Sequence, residues 1–304
     1  KEAVEGPPQY AYNLLNDFQN LPKWDPWMAQ DSTMTYAFDK KSIGEGAYVN
    51  FTSTEYGSGR TNRVASVKNE KISLETVSDD DSGGMMEYKL TPINGGNKTE
   101  VHWEYITDVS WPANLLNVLS KSSMKSDMKD GINKISEITQ ARWKESTYNG
   151  YQIKEEVIGS RTYVTHRDVV SIEKTDKFYT QNLQPLFMKI QNAGVSMQGK
   201  SGVLIYSHDM VKNQLDMAAA IPIAEEVAIE GAGSETLEAG RALVASFYGD
   251  RSMTGIAHMA LDDYIRDREL FVNFPVLEEY VTDPSEESDP SKWLTRVIYY
   301  LANN

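Results

Sequence analysis

The 304-residue chain contains no cysteine, which removes disulfides, thiolate metal centres and cysteine nucleophiles together. That absence leaves the compartment open, because cytosolic and exported chains can both lack the residue. Histidine is nearly as scarce: His102, His166, His208 and His258 show no HExxH-like spacing. They read as scattered surface or packing residues, and no metal site is expected. No apolar run approaches the length of about 18 residues that a membrane helix needs, so no membrane contact is expected. Positive charge is also short, with 30 Lys and Arg against 44 Asp and Glu and a formal charge of −14. Without a basic stripe to oppose that charge, direct binding of nucleic acid is not expected. Residues 194–199 lack the spacing and lysine of a phosphate-binding loop, and no cofactor is expected.

What is present is ordinary globular composition, 40% hydrophobic and 24% charged. Because single cores stop growing near about 250–300 residues, two domains are expected. The sequence opens at Lys1 and not at methionine. The expectation is that an initiator, signal peptide or anchor has been removed, which leaves cytoplasmic, tethered and exported locations all open.

Tyr10, Ala11, Leu14, Leu15 and Phe18 form a helical stripe preceded by Pro7 and Pro8 and closed by Pro22. The period then falls to two through Met34, Tyr36 and Phe38, through Ile72 and Leu74, through Met86, Tyr88 and Leu90, and through Val101, Trp103 and Tyr105. Turn residues at 44–46, 57–59, 79–84 and 94–97 separate these runs, which predicts an antiparallel meander. After Trp111 and Pro112, a long helix is predicted from Leu115, Leu116, Leu119, Met124, Met128, Ile132, Ile135 and Ile138. This makes one α+β domain over residues 1–143, followed by a polar linker at 144–150. Trp24, Trp27 and Trp103, with Tyr36, Tyr88 and Met128, are expected to line a cavity between sheet and helix.

A second domain is expected over residues 151–304. Strands are predicted at 151–159, 161–168, 203–207 and 214–220 around a helix through Tyr179, Leu183, Leu186 and Ile190. The order repeats with strands at 226–231, 241–248, 276–282 and 294–301 around a helix through Ala257, Leu261, Tyr264 and Ile265. Residues 203–209 align without gaps on 277–283, bringing Tyr206 onto Tyr280 and Leu204 onto Glu278. A duplicated βαββ domain follows. A carboxylate standing where the other half has an apolar side chain needs a protein partner or a ligand, and its pKa is expected to rise on burial. Glu279, on the opposite face, is expected to be solvated. Phe271, Phe274, Tyr280, Trp293, Tyr299 and Tyr300 supply rings near Glu278 in sequence, and an acid among rings suits an organic cation.

Tyr10 through Phe18 followed by Leu21-Pro22-Lys23-Trp24-Asp25-Pro26-Trp27 resembles the opening of the polyketide-cyclase-like, or START-like (SRPBCC), superfamily. That resemblance implies a helix-grip fold, a bent antiparallel sheet around a long C-terminal helix, with a cavity for hydrophobic ligands; this chain departs from it in a first strand expected to be truncated, since few residues precede Pro7. From Tyr151 to Leu301 the chain resembles GyrI-like effector-binding domains of AraC- and MerR-type regulators, through Tyr248-Gly249, Ala257-His258 and Glu278-Glu279-Tyr280-Val281-Thr282-Asp283-Pro284. This second resemblance places the ligand-contacting acid at Glu278. It departs from the family at Arg251, where an aromatic residue often stands.

The expected function is sensing or sequestration of a small apolar or cationic organic ligand, bound by Glu278, Tyr280, Trp293, Trp24, Trp27 and Trp103. One alternative is a hydrolase of strained electrophiles, with Glu278 directing water and Tyr280 offering its hydroxyl. The other is an interaction module whose acidic surface docks a basic protein.

Overall fold

The computed structural model describes residues 1–79, 83–106, 117–282 and 285–302, and the side chains of 117–123 lie outside that description. Trp111, Pro112, Leu115, Leu116, Asp283 and Pro284 are outside it, as is the side chain of Leu119. The chain divides into two compact units, Lys1–Glu145 and Ser146–Asn304.

The first unit runs β1 (Glu2–Glu5), α1 (Pro8–Leu15), α2 (Leu21–Trp24), α3 (Pro26–Gln30), β2 (Thr35–Phe38), β3 (Tyr48–Ser53), β4 (Gly57–Val67), β5 (Lys71–Ser78), β6 (Gly83–Ile93), β7 (Lys98–Ile106) and α4 (Asn117–Glu145). Pro8 opens α1, where a missing N–H costs nothing, and Asp25 caps α3 by accepting from Trp27 N at 3.2 Å. Pro22 does not close the first helix: α1 ends at Leu15, and Phe18 falls in a short 3₁₀ turn capped by Asp17. The strands form one antiparallel sheet in the order β1-β7-β6-β5-β4-β3-β2. Residues 57–59, expected as a turn, instead begin β4, because Gly59 lets the Val77 carbonyl approach to where a Cβ would stand 2.4 Å away. The α4 helix packs on β1 and on α1, α2 and α3. Ile132 and Ile135 are buried from it, and Gly131 leaves room for the Trp103 ring.

The second unit runs β8 (Thr147–Tyr148), β9 (Tyr151–Gln152), β10 (Lys154–Ile158), β11 (Arg161–Ser171), α5 (Thr175–Asn192), β12 (Gly202–Asp209), β13 (Gln214–Ile223), β14 (Gly233–Leu237), β15 (Gly240–Tyr248), α6 (Gly255–Arg268), β16 (Val276–Tyr280) and β17 (Leu294–Tyr300). Part of the expected linker is thus structured. Asn149 and Gly150 both take positive φ, the requirement of a two-residue hairpin turn between β8 and β9, and Tyr148 is buried against Tyr264. The strand expected at 226–231 is absent; its place is taken by β14, an edge strand.

The eight-stranded sheet has the order β10-β15-β17-β16-β12-β13-β11-β14, which reads alike from either side of the β16–β12 junction. Each half keeps its helix and three strands on its own side but sends its first strand across, β10 to β15 and β14 to β11. The repeat is therefore real in element order, while the letter alignment is displaced by one residue. Glu278 lies directly opposite Val203, and Leu204 opposite Leu277. Val276 and Tyr280 pack with the clusters beneath the helices, whereas Leu204, Tyr206 and Leu277 belong to the cluster on the other face. A one-residue slip exchanges faces, so Leu204, on the face opposite to Glu278, is not its counterpart.

Candidate functional site

β16 is the strand that positions the site, and all five of its residues are buried. Its alternation sends Val276, Glu278 and Tyr280 toward the helices and Leu277 and Glu279 to the opposite face. α6 crosses on the helix side and brings His258 to the Glu278 carboxylate, Nε2 to Oε1 at 2.7 Å. Tyr280 donates its hydroxyl to Oε2 at 3.0 Å. His258 Nδ1 stands 3.0 Å from the Tyr299 hydroxyl, and Tyr299 in turn hydrogen-bonds Asp262. His258 thus links two acids, Nε2 meeting Glu278 and Nδ1 meeting the Tyr299 hydroxyl that bonds Asp262.

This arrangement corrects the picture of Glu278 as a lone acid with a raised pKa. Burial alone pushes it up, but the His258 hydrogen bond and charge, with hydrogen bonds from Thr254 and Tyr280, outweigh burial and hold it below the usual carboxylate range. The Tyr280 phenol moves the other way, well above its ordinary value, through burial and the neighbouring Glu278 charge. Glu279 is likewise not solvated. It is 6% exposed and accepts from Arg161 and from Arg296, whose other Nη reaches Glu156 at 2.6 Å.

Beside Glu278 three rings meet one cation. The Arg251 guanidinium carbon lies 4.1 Å from the Tyr280 ring centroid, 5.7 Å from that of Tyr179 and 5.8 Å from that of Trp293. Tyr179 also meets Tyr280 edge to face at 4.8 Å. The structure thus brings Glu278, Tyr280 and Trp293 together and adds His258, Tyr299, Tyr179 and Arg251. Tyr300 points to the opposite face, and Phe271 and Phe274 are exposed. A groove of about 340 Å³ in this unit is lined by Gly150, Tyr151, Gln152, Lys154, Ser246 and Tyr248, and Glu278 is not part of it.

In the first unit Trp24, Trp27 and Trp103 also come together. Trp103 lies 6.0 Å from Trp24, 5.7 Å from Trp27 and 4.9 Å from Tyr88, centroid to centroid. The indole N–H groups of Trp24 and Trp103 are buried with no acceptor among the described residues. Burial raises the pKa of the neighbouring Asp25, which accepts a hydrogen bond from Tyr36. Among the described residues no group of three or more His, Asp or Glu side chains is placed to hold a metal ion. No described helix is long and apolar enough to cross a membrane.

Solved structures resemble this chain. Two of them are the EcmrR C-terminal domain, at 15% identity and a TM-score of 0.46 over 51% of this chain and 99% of that one, and SAV2435 bound to tetraphenylphosphonium, at 13% identity and 0.35 over 50% and 94%. A hydrolase from Listeria innocua is similar at 11% identity and 0.36 over 49% and 91%. No family model matches the chain, and no curated protein does. At these identities and scores the likeness is one of outline, and the functional argument rests on the side chains.

His258 entered the sequence reading only through the Ala257-His258 pair and not as a partner of Glu278, because the two are 20 positions apart on different elements. The signal available was its place near the start of the helix that follows Arg251.

Proposed function

We propose that this protein binds small organic molecules, with the second unit acting as a GyrI-like effector-binding domain whose site is built on Glu278, Tyr280, Tyr179 and Trp293. The observation that carries the reading is a buried carboxylate, hydrogen-bonded through both oxygens, beside three rings that already hold a cation. A set of rings within about 6 Å of one cationic group is a ready-made surface for a flat or charged organic ligand. The first unit is proposed as a START-like domain for an apolar ligand. Its seven-stranded antiparallel sheet and its long last helix support that reading.

A thermal-shift screen of the full chain against neutral aromatic, cationic and sterol-like compounds tests both assignments. A ligand present at a hundred times its dissociation constant stabilises its unit by about 2.7 kcal/mol. If no compound moves either unfolding transition at millimolar concentration, the binding reading falls.

A second reading, hydrolysis of a strained electrophile, is favoured by the contact of Glu278 with both His258 and Tyr280, an acid beside two proton donors. Its test is turnover of an epoxide or similar electrophile, which Glu278→Gln should abolish while affinity is retained.

A further inference from the structure

The three rings beside Glu278 are occupied by the chain itself. Arg251 lies over the face of Tyr280, whose hydroxyl is held by Glu278, so face and hydroxyl of one ring are both engaged. The Arg251 backbone is fixed. It opens a 3₁₀ turn capped by Asp250, and its carbonyl accepts from Thr254 N at 3.2 Å and Thr254 Oγ1 at 3.0 Å. The guanidinium is tied more lightly, with Nη2 donating to the Thr282 carbonyl at 3.0 Å, and the side chain is half-buried. A long side chain on a fixed backbone, half in solvent, is a tethered cation in the place where a free organic cation would stack.

We infer that Arg251 is a specificity residue which fills the cation position of this cage, so that the wild-type protein takes uncharged organic molecules and rejects organic cations. The inference rests on the small-molecule reading above and decides between the two ligand classes which that reading leaves open. An incoming cation must displace the guanidinium from three rings and then lie near it, and like charge opposes the second step. An uncharged aromatic ligand can displace the guanidinium or stack upon it without the like-charge penalty. Removing the Arg251 charge leaves Glu278 and the rings in place and should turn the same site into a cation binder.

The test is calorimetric titration of the full chain with benzyltrimethylammonium, an organic cation that has no N–H donor, and with its uncharged isostere neopentylbenzene. Wild type, Arg251→Ala, Arg251→Gln and the double variant Arg251→Ala with Glu278→Gln are compared. Both single variants should bind the cation at least tenfold more tightly than wild type, which is about 1.4 kcal/mol. The isostere should gain less than threefold, and the double variant should return most of the cation gain. Equal affinity for the cation in wild type and both single variants, whether tight or undetectable, overturns the inference. So does an equal gain for cation and isostere, which would mean that Arg251 only takes up space. If the inference fails while uncharged screening hits still bind at the Trp293 ring, the small-molecule reading stands; if no organic ligand binds any of these proteins, both fall.

Discussion

Glu278→Gln is the perturbation whose sign depends most on the geometry. A lone buried carboxylate costs the fold, and its replacement by a neutral isostere would leave stability equal or higher. The structure predicts the reverse. The substitution removes a charge-assisted hydrogen bond from His258, worth about 1.5–3 kcal/mol, and places an NH₂ group against either the His258 Nε2–H or the Tyr280 O–H. With the amide oxygen kept on His258, the NH₂ group donates to the Tyr280 oxygen and the buried phenol proton loses its acceptor. Because the amide oxygen still serves the other partner, the net loss should be about 2–4 kcal/mol, lowering the Tm of the second unit by roughly 5–12 °C. Differential scanning calorimetry of the full chain reads this as a fall in one transition only. The pH dependence follows from the direction of the shift. Glu278 has a folded pKa below its ordinary value of 4.5, so its contribution is present above that value and is lost as pH falls through the lowered one. The gap between wild type and variant should therefore narrow at acid pH, where a protonated Glu278 resembles glutamine. A variant as stable as wild type at pH 7, or a gap independent of pH, would refute the reasoning.

Gly202→Ala should abolish the second unit's cooperative unfolding, because its Cβ would lie 1.9 Å from the Glu278 carbonyl oxygen at the junction of the halves. Far-ultraviolet circular dichroism of thermal melts checks this. Gly131→Ala should lower the stability of the first unit by about 1–3 kcal/mol, since its Cβ would meet the Trp103 ring at 2.8 Å and Pro26 at 3.1 Å. Urea titration followed by tryptophan fluorescence measures it. Arg296→Met should cost about 1.5–3 kcal/mol in a urea titration, because the buried Glu279 loses one charge-assisted hydrogen bond but keeps Arg161.

The sequence made the second unit's architecture legible wherever apolar residues recur with a clear period. Strands β12, β13, β15 and β17 and helices α5 and α6 are buried on at least one face, and burial writes itself into the letters. β14 does not, because Gly-Ser-Glu-Thr-Leu at a sheet edge has little to bury and no alternation to show. The match of Tyr206 with Tyr280 pointed to a true duplication by a false register, since the tyrosines lie on opposite faces. Glu278 could be singled out as a charge in a buried strand. Its satisfaction by His258 could not, because that contact exists only once α6 has crossed the sheet. The same holds for Arg251, whose departure from an aromatic residue was visible but whose position over the Tyr280 ring was not.

The most direct test of ligand binding at this site is calorimetric titration of one uncharged aromatic screening hit into wild type, Trp293→Ala and Phe271→Ala. Trp293 belongs to the cage, whereas Phe271 is 70% exposed and lies outside it. Loss of one stacking ring costs at least about 1 kcal/mol. Trp293→Ala should therefore raise Kd fivefold or more, with Phe271→Ala unchanged; equal affinity in all three proteins would contradict the account.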